Sequence, residues 1–536
     1  MSARENIAVA ARTAAALRAA DVIRPISPLK LWRAGAAGHA LQATPAASIA
    51  IAAATDPTGV AVVDDDGALT WAELDRRARA LAHAFVTSYG AGPEHPIAVI
   101  CRNHRGVLEV LAAGARAGAD VLALNTEFAA PQVAAALSGR GVAVVVHDSE
   151  FTALLEQAET GVQLLCAWTE DEVTAPLELL ARADVSLDSP PSRRAQITIL
   201  TSGTTGVPKA ASRDISARTM VGSLITLIEH LHLRRGSPVL VAPPLFHGFG
   251  LGVTALAQAV GAPVVLSRRF EPEQTLALIE RRAVTTLIAV PVMLQRILEL
   301  EPATRGRYDT STLRSVLSAG APLAPALAER FMDAFGDILN NAYGSTETGF
   351  GAIASPADLR AAPGTIGRSP FGVTVQILDQ DRNPAAAGET GHIFIGSDLV
   401  IDGYADGSSK ELAGALMNTG DLGHVDEVGR IYVEGREDDM IVSGGENVFP
   451  QEVEDALLAH PGVRDATVVG VPDDEFGQRL RAFVVPRVED SLVADQLQAH
   501  LRSRLERYKL PREIVFYEEI PRTPTGKVIR RLLTTA

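Results

Sequence analysis

Lysine is scarce in this chain: of 49 basic residues only five are lysine (Lys30, Lys209, Lys410, Lys509 and Lys527), and the other 44 are arginine. A chain that writes its positive charge as Arg, yet keeps Lys at five places, raises the question of which places need an ammonium. Cysteine is scarcer still. Cys101 and Cys166 cannot build a disulfide framework, and neither CxxC nor a Cys/His run suggests zinc. A reducing compartment is expected. Net positive charge is also missing, with 49 Lys+Arg against 64 Asp+Glu and a formal charge of −15. Bulk binding of nucleic acid or of an anionic membrane needs a basic surface, so both are disfavoured, while local basic patches stay open. No apolar signal segment opens the chain, because Arg4, Glu5, Arg12, Arg18, Asp21 and Arg24 interrupt the first 25 residues. A cytoplasmic protein is expected. The longest uncharged run, Gly236 to Ser267, is broken by Pro238, Pro243, Pro244, Pro263, His247 and several glycines, and reads as buried strands and loops rather than a membrane span.

What is present is ordinary globular material: 47% hydrophobic and 21% charged residues over 536 positions. At roughly 150 residues per domain, this length suggests three or four units of folded mass, merged into two domains. Short apolar runs (Pro96 to Ile100, Val142 to Val146, Ile197 to Leu200, Thr286 to Val290, Ser315 to Leu317) alternate with Ala-rich helical stretches. That rhythm predicts an α/β fold of βαβ units with largely buried sheets. Near Gly435 the texture changes. A helix over Gln451 to Leu458, strands over Ala466 to Val471 and Leu480 to Val485, and a helix with Val493, Leu497, Leu501 and Leu505 four apart predict a small α+β domain. The expected division is a large domain over 1–434 and a small one over 435–536, joined at Gly435-Arg436-Glu437-Asp438-Asp439. The last 36 residues carry nine Lys/Arg and four Glu, a basic patch that reads equally well as a solvated face or an anion contact.

After the strand Ile197 to Leu200 comes Thr201-Ser202-Gly203-Thr204-Thr205-Gly206-Val207-Pro208-Lys209. Hydroxyls, glycines and an ammonium in one turn offer backbone N–H, O–H and cationic donors to a polyphosphate. GxxxxGK[ST] cannot be aligned to Gly203, Gly206 and Lys209, so this is not a Walker A loop. The string resembles the signature loop of the adenylate-forming superfamily, which contains acyl-CoA synthetases, peptide-synthetase adenylation domains and beetle luciferases. Four further stretches match in order. Asn341-Ala342-Tyr343-Gly344-Ser345-Thr346-Glu347 resembles the adenine and magnesium motif, and Thr419-Gly420-Asp421 the ribose motif. Gly435-Arg436-Glu437-Asp438 with Ser443-Gly444-Gly445-Glu446-Asn447 resembles the hinge and the loop after it, and Pro524-Thr525-Gly526-Lys527 the catalytic-lysine motif.

The resemblance, closest to bacterial fatty acyl-CoA synthetases, implies attack of a carboxylate on the α-phosphorus of ATP, then transfer of the acyl group to the thiol of coenzyme A. A carboxylic acid with a pKa of about 4 to 5 is already ionised at pH 7, so the first step needs charge neutralisation and alignment rather than a base. The implied roles are then as follows. Thr201, Ser202, Thr204 and Thr205 hold β and γ oxygens, and Glu347 ligates Mg2+. Thr346 donates to the α-phosphate, Tyr343 stacks on adenine, Asp421 takes the ribose diol and Arg436 adds a ribose or phosphate contact. Lys527 bridges the α-phosphate and the incoming carboxylate. The small domain rotates about Asp438 between half-reactions, withdrawing Lys527 and bringing Ser443, Gly444, Gly445 and Glu446 to the pantetheine tunnel.

Segments matching the family's acyl pocket (Pro244 to Leu251, Val290 to Leu294, Ser318 to Pro322, Thr348 to Phe350) contain no Lys, Arg, Asp or Glu. Phe246, Gly248, Gly320 and Ala321 would line it, with His247 as the gate near the carboxylate. His247 stands where an amino-acid-activating relative carries Asp, which disfavours an amino acid substrate. Small residues leave room for a chain, so a medium- to long-chain fatty acid is expected first and an aryl acid second. Coenzyme A is the expected acceptor. A separate carrier protein is the alternative, and a non-catalytic sensor the remote one. A homodimer stays open, as does a partner or membrane role for Glu5 to Ala20. The chain departs from the family at Ala210, where Gly is usual, and at Gly414 to Asn418, which lacks the expected Gly-Trp. No GxGxxG in a strand-to-helix context and no GxSxG elbow supports hydride transfer or serine hydrolysis.

Overall fold

The computed structural model describes residues 3–42, 44–171, 173–187, 189–201, 209–211, 221–345, 348–397, 411–443, 446–473, 477–488, 492–524 and 526–533. Backbone packing divides them into two compact units. One holds the residues up to 289 together with 300–316, and the other holds 290–299, 317–397 and 411 onward.

The first unit is built on parallel sheets. Six strands run in the order Gln163–Trp168, Val144–Asp148, Ile97–Ile100, Val121–Ala123, Ile197–Thr201 and Lys209–Ala211. Every neighbouring pair is parallel except the last. Strands such as IAVI over 97–100 are buried at every residue, as a parallel sheet covered on both faces requires. Leu124, Phe128, Val133, Phe151 and Leu155 belong to the core packed against this sheet. The helices between strands are locally encoded. Trp71–Tyr89 opens on a Thr70/Glu73 capping box and closes on Gly90 in the left-handed conformation. A second set of strands runs Thr286–Ala289, Val239–Val241, Val264–Leu266, Val60–Asp64 and Gly67–Thr70, parallel until the final hairpin.

The run 236–267 differs from expectation. Two of its pieces are buried strands, but its middle is the helix Gly248–Val260. Gly248 and Gly250 sit in its first turn, and Gly250 is needed there, since a Cβ would lie 2.6 Å from the Pro244 carbonyl oxygen. Gly261, left-handed at φ 80°, ends the helix. Among the described residues no helix is long and apolar enough to cross a membrane.

The second unit contains a five-strand antiparallel run in the order Thr365–Gly367, Ile431–Arg436, Leu416–Val425, Gly391–Gly396 and Thr374–Leu378. Its core includes Ile377, Ile393, Ile395 and Ile431. The hairpin Leu339–Ser345 with Gly349–Ala354 is bulged between Tyr343 and Gly344. At Gly344 a Cβ would lie 1.9 Å from the Gly349 carbonyl oxygen, so only glycine fits. Beyond residue 440 a separate core forms. Strands Glu446–Val448, Ile441–Ser443, Gly477–Pro486 and Val463–Asp473 pair in that order, with Glu513–Phe516 parallel to Gly477–Pro486. Helices Pro450–Leu458 and Ala494–Arg502 contribute Val453, Leu457, Leu497 and Leu501, which bury against Val468, Leu480 and Val484. Full burial of a Leu of this kind stabilises by roughly 1.5–3 kcal/mol. Of the expected four-residue series, Leu497 and Leu501 lie on the helix and are buried; Val493 is its exposed N-cap residue, and because the helix ends at Arg502, Leu505 packs from the turn that follows. The fold is therefore α/β, with a large N-terminal body of sheets and helices and a smaller α+β C-terminal domain.

Candidate functional site

Tyr343, Asp421 and Arg436, 78 and 15 residues apart along the chain, come together in the second unit. Strands 416–425 and 431–436 are antiparallel with Asp421 directly opposite Arg436. The approach to Asp421 is shaped by two local bonds: Asn418 Oδ1 accepts from the Gly420 N–H at 2.8 Å, and Thr419 Oγ1 accepts from the Asp421 N–H at 3.1 Å. Gly420 is left-handed at φ 83°, with the Arg436 guanidinium 3.2 Å from where a Cβ would stand. The Tyr343 hydroxyl donates to Asp421 Oδ2. Burial, and then the facing Asp421 carboxylate, push the Tyr343 phenol well above its usual range, so it remains a donor at neutral pH. Asn341 and Ala342 are buried in the same strand.

Arg436 also reaches the expected hinge. Its Nε and Nη2 donate to Asp438 Oδ1 and Oδ2 at 2.8 and 3.2 Å, and its Nη1 lies 3.4 Å from Asp421 Oδ1. Burial raises the Asp438 carboxyl, but the hydrogen bonds and charge of Arg436 outweigh it and hold the group below the usual carboxylate range. Next to it, Asp439 pairs with Arg530. The acidic turn is thus paired on both sides rather than merely solvated.

Lys527 ends a tight turn. The Thr523 N–H donates to the Lys527 carbonyl at 2.7 Å, the Lys527 N–H to Thr523 Oγ1 at 3.1 Å, and the Gly526 N–H to the Thr523 carbonyl at 2.8 Å. Gly526 is left-handed at φ 81°, and a Cβ there would stand 3.2 Å from Val292 Cγ1 and 3.9 Å from Ala321 Cβ. The lysine turn therefore lies against two of the segments expected at the acyl pocket. Sequence reasoning missed what holds it. Arg522 donates through Nε and Nη2 to Asp465 at 3.1 and 2.7 Å, and through Nη1 to the Gly526 carbonyl at 2.8 Å. One arginine among 44, with its partner 57 residues away, gives no local signal.

The remaining expected residues fall elsewhere. Thr201 and Lys209 are cross-strand partners, while Ser202, Gly203, Thr204, Thr205 and Gly206 between them lie outside the described residues. So do Thr346, Glu347, Gly444 and Gly445. Ser443 faces Glu446 in a short hairpin. In the first unit, the His247 and Phe246 rings stand 4.6 Å apart, Phe246 is buried, and His247 and Gly248 open the helix Gly248–Val260. Gly320 is left-handed at φ 88°, with Val290 3.6 Å from its Cβ position.

The fold also assembles Cys101, His104 and Asp148, all buried, with ligand atoms within 4.8 Å of one another. These residues do not offer an open metal site. His104 Nδ1 accepts the Gly106 N–H at 3.1 Å, so its Nε2 is the protonated nitrogen and donates to Asp148 at 2.8 Å. Asp148 also accepts from the Arg102 N–H and from Arg268, each at 3.0 Å. Both lone-pair sets are spent on protein donors.

The family described as AMP-binding enzyme matches residues 49–405, and that described as AMP-binding enzyme C-terminal domain matches 452–527. A feruloyl-CoA synthase of an Amycolatopsis species is 33% identical over 484 residues, which cover 88% of this chain and 95% of the synthase. A fatty acid–[acyl-carrier-protein] ligase of Streptomyces coeruleorubidus is 31% identical over 498 residues, covering 89% and 93%. The solved structure of o-succinylbenzoate CoA synthetase from Bacillus subtilis, in complex with its acyl-adenylate, superposes with a TM-score of 0.79 at 26% identity, covering 91% of this chain and 98% of that one. With a family match over more than half its length and both of that family's parts in order, the chain belongs to the AMP-binding enzymes, a family of AMP-forming ligases.

Proposed function

We propose that this protein is an AMP-forming acid–thiol ligase that converts an apolar carboxylic acid to its acyl-adenylate, releases pyrophosphate, and passes the acyl group to coenzyme A. The observation that carries this reading is the Tyr343–Asp421–Arg436 cluster, in which a carboxylate with a tyrosine donor and a guanidinium beside it matches the needs of a ribose diol next to a phosphate.

In this reading the chain's own groups do the positioning. Asp421 accepts the ribose hydroxyls, Tyr343 flanks the adenine, Arg436 takes ribose or phosphate oxygen, and Thr201 to Lys209 hold the polyphosphate. Lys527, exposed at the end of its turn, neutralises the α-phosphate and orients the carboxylate, so that in-line attack is governed by alignment and charge. The carboxylate at Glu347 has the hard-oxygen chemistry that suits Mg2+, which when bound would neutralise charge on the phosphates. Between the half-reactions the domain 435–536 turns about Asp438, and Ser443 to Glu446 replace the lysine turn. Free Cys101 and Cys166 suit a reducing, cytoplasmic setting.

For the acid, the reading now favours an aryl acid over a fatty acid. Two relatives named above act by their names on aromatic acids. The carrier-protein ligase among the relatives keeps acyl transfer to a carrier protein as the second reading of the acceptor. Pyrophosphate release should be followed with a panel of hydroxycinnamic, benzoic, indoleacetic and C8 to C16 fatty acids, with and without coenzyme A. Thioester formed from an aryl acid supports the proposal. Adenylate trapped by hydroxylamine with no thioester moves the acceptor to a carrier protein, and absence of pyrophosphate with every acid overturns the reading.

A further inference from the structure

Helix Pro28–Leu41 wears its apolar side chains outward. Its inner side carries Lys30, bonded to the Thr55 carbonyl, and small residues, with Ile51 3.4 Å from where a Cβ of Gly38 would stand, and Leu41 is buried. On the outer side, Leu29, Leu31 and Trp32 are 56%, 61% and 70% exposed, followed by exposed Ala36 and Ala40, and Ile23 is exposed just upstream. A surface helix of a globular domain is patterned the other way round. Contiguous exposed apolar side chains around an indole mark an interaction surface rather than the scattered residues every surface carries.

The charge around this surface runs against the rest of the molecule. Between residues 18 and 33 stand Arg18, Arg24 and Arg33, with Asp21 as the sole acid and Lys30 turned to the Thr55 carbonyl, in a chain of net charge −15. Arg33 is exposed beside Trp32, and Arg24 is half-buried next to Ile23. The whole stretch precedes residue 49, where the match to the family begins.

We propose that residues 23–36 are a docking surface for an anionic lipid bilayer. Leu29, Leu31 and Trp32 enter the boundary between headgroups and acyl chains, and Arg24 and Arg33 meet lipid phosphates. An indole with one apolar face and one wet edge favours that depth, and each basic side chain near an anionic surface adds about five-fold to binding. A second copy of this chain fits less well, because a two-fold contact through this patch would bring two basic surfaces together.

The test uses the full chain with vesicles of phosphatidylcholine alone or with about one-third phosphatidylglycerol. Expected are co-sedimentation with the anionic vesicles, release by salt, and a blue shift of tryptophan emission that Trp32→Phe removes. A Leu29→Asp/Trp32→Asp variant should lose at least ten-fold in vesicle affinity while pyrophosphate release in solution stays unchanged. Arg24→Gln/Arg33→Gln should lose about 25-fold on anionic vesicles and nothing on neutral ones. Equal sedimentation with neutral vesicles, no sedimentation with either, or a concentration-dependent dimer that the Leu29/Trp32 variant abolishes would overturn the proposal.

Discussion

Arg436 grips Asp438 with two hydrogen bonds at 2.8 and 3.2 Å while its third nitrogen stands 3.4 Å from Asp421. One guanidinium thus touches both the carboxylate assigned to ribose and the one assigned to the pivot. A nucleotide that draws Arg436 toward Asp421 loosens its hold on Asp438. Arg436→Lys keeps the charge and loses the planar fork. The expected outcome is a rise of about ten-fold in KM for ATP in pyrophosphate release, equivalent to about 1.4 kcal/mol. An unchanged KM would remove Arg436 from the nucleotide site.

Asp438→Pro fixes φ and deletes the carboxylate that Arg436 holds. Adenylation should persist and thioester formation should fall by at least ten-fold, which single-turnover assays of the two half-reactions can separate. Normal overall turnover by this variant argues against a pivot at Asp438.

Lys527→Ala should slow adenylation by about 10²- to 10³-fold, the cost of one well-placed donor to developing charge, and leave thioester formation from supplied acyl-AMP much less affected. Gly526→Ala offers a charge-neutral companion. Its left-handed φ of 81° strains any side chain there, and a methyl group 3.2 Å from Val292 Cγ1 would push that side chain back. Adenylation should drop while coenzyme A binding is kept. If both half-reactions fell equally in both variants, the turn would have a structural role only.

Asp148 makes the stability of the first unit depend on pH. Burial pushes its carboxyl up, but the hydrogen bonds from His104, the Arg102 N–H and Arg268 together bring it down to about 2. A carboxyl depressed in the folded state contributes stability that is present above about pH 4 and lost as pH falls through about 2. The size is about 2 kcal/mol. Asp148→Asn should lower the urea midpoint at pH 7, and the gap to the parent should close as pH approaches 2. A gap that stays constant over that range would refute the linkage.

Much of the site was readable because its motifs are contiguous. Thr419-Gly420-Asp421 and Pro524 to Lys527 announce themselves by residue order, and so do the C-terminal strands and helices, whose apolar residues recur at the right period. What sequence could not show is the tertiary bond. The Tyr343 ring suggested stacking and Asp421 suggested ribose, but nothing in either motif indicates that one donates to the other across 78 residues. Arg522 was invisible for the same reason, and the helix Gly248–Val260 was hidden because Gly248, Gly250 and Gly252 read as breakers without the Pro244 carbonyl that demands one of them.

The scarcity of lysine has a practical side. Lys30 donates to the Thr55 carbonyl at 2.9 Å, where it caps the helix Pro45–Thr55, and Lys509 is clamped at 2.8 Å by Glu452 and by Glu506. Among the described lysine side chains, Lys527 is the exposed one. Of these three, Lys527 is therefore the one open to an amine-selective reagent. Because the modification removes the ammonium assigned to the α-phosphate, loss of adenylation on labelling, and its prevention by bound nucleotide, would turn a compositional poverty into a chemical footprint of that turn.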